Sequence, residues 1–145
     1  MEDTRRTQAL GAFGKLQRTA KALLARVERG LASAGLTATQ FGVLATLLHN
    51  GARSQRELSR EVLTSPGNMT ELIDRLEQRG LVQRARQPSD RRAMQVVLTP
   101  AGKALAEPLF ARHAGDVAAI MGGLTSEELR QFELLLDKLS GANSG

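Results

Sequence analysis

Four arginines, Arg84, Arg86, Arg91 and Arg92, fall within nine residues against a single acid, Asp90. A guanidinium is always charged, and its planar fork matches phosphate oxygens, so such a group attracts a polyanion. An arginine at the tip of a turn can also enter a narrow minor groove, where the negative potential of a duplex is strongest. Just upstream, side chains of a different kind are grouped. Asn68 can pair bidentately with adenine, Thr70 can touch a thymine methyl or a phosphate, and Glu71 can accept from cytosine N4. Catalytic chemistry is poorly provided for. The chain has no cysteine, which removes thiolate nucleophiles, disulfides and thiolate zinc sites. His49 and His113, the only histidines, stand far apart in sequence and suggest no metal site. Gly14-Lys15-Leu16 and Gly102-Lys103-Ala104 lack the hydroxyl and the upstream glycine of a phosphate-binding loop, and no G-x-S-x-G, H-E-x-x-H or dinucleotide fingerprint occurs. The expectation is no catalytic residue, no metal and no cofactor.

Charge and composition frame these groups. The 145 residues carry a net charge of +5, and 41% of them are hydrophobic, enough to bury a real core. Residues 1–49 are net +4, residues 50–103 net +4 and residues 104–145 net −3. The basic excess therefore sits in the first two-thirds and points to a polyanionic partner, nucleic acid first. No apolar run approaches the ~20 residues of a membrane span, and Met1 to Arg6 mixes charges with no apolar stretch behind it. No membrane partner is expected, and a cytoplasmic location is.

Elements must position the reactive groups, and helical signals dominate. Apolar residues at Leu10, Phe13, Leu16, Leu23, Leu24, Val27 and Leu31 predict a helix over about residues 5–31, broken by Gly30 and Gly35. Thr37 and Gln40 form a capping box that opens a helix ending at Asn50-Gly51. Ser54 and Glu57 predict a second box, opening a short helix. Ser65-Pro66 starts a third helix, residues 66–79, that buries Met69, Leu72, Ile73 and Leu76 and stops at Gly80. Its opposite face centres on Gly67, Glu71, Asp74 and Gln78, flanked by Asn68, Thr70 and Arg75. Residues 81–86 and 93–98 then read as two strands joined by the polar segment 87–92. Thr99-Pro100 opens another helix, and Thr125 with Glu128 caps a last one carrying Leu129, Phe132, Leu135, Leu136 and Leu139. Three short helices followed by a charged hairpin is the order of a winged helix-turn-helix. The fold class is mainly α, α+β in detail, with long flanking helices.

Three stretches carry a resemblance to a known family. They are Thr70-Glu71-Leu72-Ile73-Asp74-Arg75-Leu76-Glu77-Gln78-Arg79-Gly80-Leu81-Val82, then Asp90-Arg91-Arg92, then Leu98-Thr99-Pro100-Ala101-Gly102. Together with Leu36 to Leu44 they resemble the MarR family of bacterial transcription regulators, over about residues 10–140. The resemblance implies that Asp90 braces one of Arg91 and Arg92 while the other enters the minor groove, with the choice between them open. It also implies a homodimer and a pocket for small aromatic or phenolic effectors, for which Phe13, Leu16, Phe41, Leu48, His49 and His113 are the expected lining.

The dimer follows from the residues as well. A winged unit of ~70 residues leaves Leu10, Phe13, Leu129, Phe132, Leu135, Leu136 and Leu139 little to bury against, and a twofold partner would cover them. It would also set two reading helices one duplex turn, ~34 Å, apart on a pseudo-palindromic operator. Helix starts supply N–H groups for phosphates, making Ser54, Gln55, Arg56 and Ser65 candidate positioning contacts. The expected division is 1–35 for the N-terminal dimerisation helix, 36–99 for the DNA-binding lobe and 100–145 for the C-terminal helices. The expected function is a sequence-specific duplex-binding regulator, a repressor released by a small effector. The competing readings are a winged-helix protein-interaction module and an architectural DNA binder with no ligand response.

Overall fold

The computed structural model of the chain describes residues 1–62, 64–87 and 90–143, with the side chains of 87, 90–93 and 142–143 set aside. Among the described residues six α-helices and one two-stranded sheet follow in order: α1 (Glu2–Leu31), α2 (Ala38–Asn50), α3 (Gln55–Glu61), α4 (Pro66–Gln78), β1 (Val82–Gln87), β2 (Asp90–Leu98), α5 (Pro100–Ile120) and α6 (Ser126–Asn143). Among the described residues no single helix is long and apolar enough to cross a membrane.

Helix α1 starts earlier than its apolar stripe suggests, because Glu2 and Asp3 in its first turn suit the positive end of the helix dipole. Gly30 does not break it. The Gly30 carbonyl accepts from the Arg112 guanidinium of α5, whose Nη2 also reaches Ser33 Oγ at 3.2 Å. The chain leaves the helix through a short 3₁₀ turn, residues 32–34, and turns at Gly35, where φ is +66° and a Cβ would be strained. On the other side of this junction Arg79, at the end of α4, donates to the Gly35 and Ala34 carbonyls at 3.0 and 3.1 Å.

Caps fix the next three helices. Thr37 and Gln40 close both arms of a capping box. The Ser54 box is only half made. The Ser54 hydroxyl accepts from the Glu57 N–H at 3.1 Å, but the Glu57 carboxylate turns to Arg53, 3.7 Å away. Ser65 caps α4 by accepting from the Asn68 N–H, with Pro66 in the first turn.

The hairpin is longer and less regular than the sequence suggests. β1 and β2 pair antiparallel from Val82 opposite Leu98 to Arg86 opposite Met94, then the register jumps and Gln87 faces Asp90. Asp90, Arg91 and Arg92, expected in the connecting segment, thus belong to β2, and the strands close in from both sides. Arg53 adds a single-residue bridge, exchanging backbone hydrogen bonds with Val96 at 3.1 and 2.7 Å. Thr99 then ties the hairpin to α5. Its hydroxyl accepts from the Gly102 N–H at 3.0 Å and donates to the Gly80 carbonyl at 2.6 Å.

The core lies between α2, α3, α4 and the sheet, where Leu44, Leu58, Met69, Ile73, Leu76 and Val96 are enclosed. Leu31, Ala106 and Leu109 complete it, so both flanking helices lend one end to the lobe that spans Leu36 to Val96. Most of α1 and all of α6 stay outside that core.

Candidate nucleic-acid interface

Helix α4 presents one face to solvent. Met69, Ile73 and Leu76 hold it against the core, which leaves Gly67, Asn68, Thr70, Glu71 and Arg75 exposed. Among the described residues no group holds the Asn68 side-chain amide. A Cβ on Gly67 would meet nothing within 4 Å, so that position is open space beside Asn68. Thr70 is held at both ends. Its hydroxyl donates to the Pro66 carbonyl and accepts from the Gln55 amide of α3, both at 3.1 Å.

The acids on this face are not bare. Glu71 pairs with Arg75 at 3.3 Å, an exposed pair worth little in stability but enough to soften repulsion of a phosphate. Asp74 pairs with Arg84 of β1 at 2.8 Å. Arg84, expected among the arginines that attract phosphate, is instead built into the lobe. Its Nη1 meets Asp74 and, at 3.1 Å, Glu77; its Nε donates to Gln55 Oε1 at 2.8 Å; its Nη2 donates to the Thr70 carbonyl at 3.3 Å. The Glu77 carboxylate also accepts from the Arg84 backbone N–H at 3.0 Å. The reason is placement: residue 84 lies where β1 passes alongside α4, among carboxylates that draw it in. Glu77 was not a sequence candidate, although Asp74 and Glu77, three apart on one helix face, signal a waiting cation.

The remaining candidates divide. Arg56 is exposed at the start of α3, while the Ser54 and Ser65 hydroxyls are engaged as caps. Arg86 is exposed on β1. The side chains of Asp90, Arg91 and Arg92 lie outside the described residues. Among those described, no cluster of three or more His, Asp or Glu side chains could hold a metal.

The effector residues do not form one pocket. Phe13 and Leu16 lie on α1 in an apolar groove with Phe132, Leu135, Leu136 and Leu139 of α6, and Leu10 joins them. Leu129 is half-buried and not part of this lining. Phe41 and His49 of α2 belong to a separate cluster with Phe110 and His113 of α5. Phe41 and His113 ring centres are 4.8 Å apart, and those of His49 and Phe110 4.3 Å. Leu48 packs on the core. Within the single chain the expected set divides into two groups, because Phe13 and Leu16 sit far along α1 from the end that joins the lobe.

Comparison with known proteins bears on this arrangement. Residues 36–94 match the family model described as the MarR family. The multiple antibiotic resistance protein MarR of Salmonella typhimurium is 34% identical over 105 residues, covering 72% of this chain and 73% of that protein. Among solved structures, Bordetella bronchiseptica BpsR, whose DNA binding is regulated by 6-hydroxynicotinic acid, is 30% identical with a TM-score of 0.79, covering 90% of this chain and 98% of that one. A mutant MarR from E. coli, complexed with operator DNA, is 25% identical with a TM-score of 0.81, covering 91% of this chain and 95% of that one.

Proposed function

Because the chain belongs to the MarR family of DNA-binding transcription regulators, we propose that it works as a homodimeric repressor whose two α4 helices read a pseudo-palindromic duplex. The carrying observation is the exposed face of α4, where no group among the described residues engages the Asn68 amide while Thr70, Gln55 and Arg84 brace the helix behind it. A side chain that is held can be aimed; one that is unengaged can pair with a base edge. Residues 36–99 form the binding lobe, and residues 1–35 and 100–145 supply the dimerisation helices. The protein performs no catalysis of its own and acts in the cytoplasm, where its operator is.

A small aromatic molecule releases the DNA. BpsR, which answers to a hydroxylated pyridine acid, supports that reading. Such a ligand acts only through different affinities for the DNA-competent and DNA-incompetent dimer.

Two variants test the assignment. Replacing Arg91 and Arg92 together by alanine is expected to weaken binding to most duplexes and to reduce the slope of log K against log salt by about 1–2 units. Fluorescence anisotropy across a salt series measures this, and an unchanged slope removes the wing from the interface. Asn68→Ala is expected to relax preference at one base pair per half-site, costing ~1–3 kcal/mol there and little elsewhere. Selection from a random duplex pool before and after the change reads it out. A protein-interaction module would retain no duplex at low salt.

A further inference from the structure

We infer that Arg84 is a positioning residue for duplex recognition: it sets the wing against the reading helix and offsets part of the charge of two carboxylates, without touching the duplex. The inference rests on the reading of α4 given above.

The geometry argues against a phosphate contact. Three guanidinium N–H groups donate to Gln55, Glu77 and the Thr70 carbonyl, Asp74 lies 2.8 Å from Nη1, and the side chain is 21% exposed. A residue so engaged would have to abandon this network to reach DNA. The network spans three elements: α3 through Gln55, α4 through Thr70, Asp74 and Glu77, and β1 through Arg84 itself. Glu77 grips Arg84 twice, at the guanidinium and at the backbone N–H, so β1 is fixed in position along α4 and not merely attracted to it. The Gln55 amide passes the constraint on to the Thr70 hydroxyl, two residues from Asn68.

Two consequences follow for recognition. Asp74 and Glu77 would otherwise present two uncompensated negative charges beside a polyanion. And the hairpin that carries Arg91 and Arg92 is set relative to the Asn68 face by a fork that only a planar, multi-donor cation can make. Lysine supplies the charge but not the fork.

The test uses the full-length dimer and a duplex that the wild-type protein selects from a random pool, compared with a scrambled duplex of equal length. R84K should keep the wild-type salt slope, because the net charge is unchanged and residue 84 itself makes no phosphate contact. Its preference for the selected over the scrambled duplex should fall about tenfold or more, as the wing and α4 lose their fixed relation. Q55A, which leaves Arg84 and its acid partners in place, should lower the same ratio in the same direction by a smaller factor. R84K with wild-type affinity and wild-type preference overturns the inference, because a direct phosphate contact tolerates lysine. So does Q55A with an unchanged ratio. Wild-type protein that enriches no duplex overturns the duplex-binding reading itself, and this inference with it; R84K failing to differ while the wild type selects a site overturns the inference alone.

Discussion

Replacing Gly102 with alanine is expected to lower stability by ~3 kcal/mol or more, although the position is in the first turn of a helix. A Cβ built there lies 2.0 Å from the Leu81 carbonyl oxygen, 3.0 Å from its carbon and 2.9 Å from Leu98 Cδ1. The oxygen is backbone and cannot swing aside. It already accepts the Thr99 N–H at 3.1 Å, within the knot that joins the hairpin to α5. Relief of the clash must therefore move β1 away from α5. At an unconstrained helix site the same change would be favourable by up to ~1 kcal/mol, so the sign is diagnostic. Gly115, farther along α5 with nothing within 4 Å of its would-be Cβ, provides that control. For a chain of this size the loss corresponds to about 10 °C in Tm. A thermal melt of G102A at or above the wild-type midpoint would count against the close approach.

The second large effect is on assembly. Phe13 is 58% exposed and Leu135 61% exposed in the single chain, on the two walls of the α1–α6 groove. Charges there cost a lone chain little, since neither side chain belongs to its core. In a dimer that covers this groove they would be buried without partners, at several kcal/mol each. The double variant F13R/L135R is expected to sediment as a folded monomer at concentrations where the wild type is a dimer. Its duplex affinity should fall more than about a hundredfold, because two half-sites are no longer engaged through one body. A double variant that stays dimeric places the interface elsewhere.

The sequence announced what depends on short-range rules. Thr37 with Gln40, Ser65 with Pro66, and Thr125 with Glu128 mark helix starts by local hydrogen bonding, and each is found. The buried face of α4 follows from a spacing of three and four residues. Longer-range effects were hidden. The Glu57 arm of the Ser54 box is lost to Arg53, a competitor whose nearness depends on where the sheet lies. The bridge from Arg53 to Val96 involves one residue and leaves no periodic trace. Arg84 reads as one of several basic wing residues until β1 is laid beside Asp74 and Glu77. The division of the expected effector lining was hidden for a similar reason. Phe13 and Phe41 are both aromatic residues on apolar helix faces, but only the course of α1 away from the lobe separates them.

The junction between α1 and α2 bears on how a distant event could be felt at the DNA. Within six residues, 30–35, three backbone carbonyls are clamped by guanidinium groups, one from the end of α4 and one from α5. A linker pinned in this way is not a swivel. If α4 reads the duplex as proposed, the long first helix would act as a lever whose short arm is bolted to the far end of that helix, so that a few degrees of tilt where two subunits meet would reach it as torque instead of being lost in a slack connection.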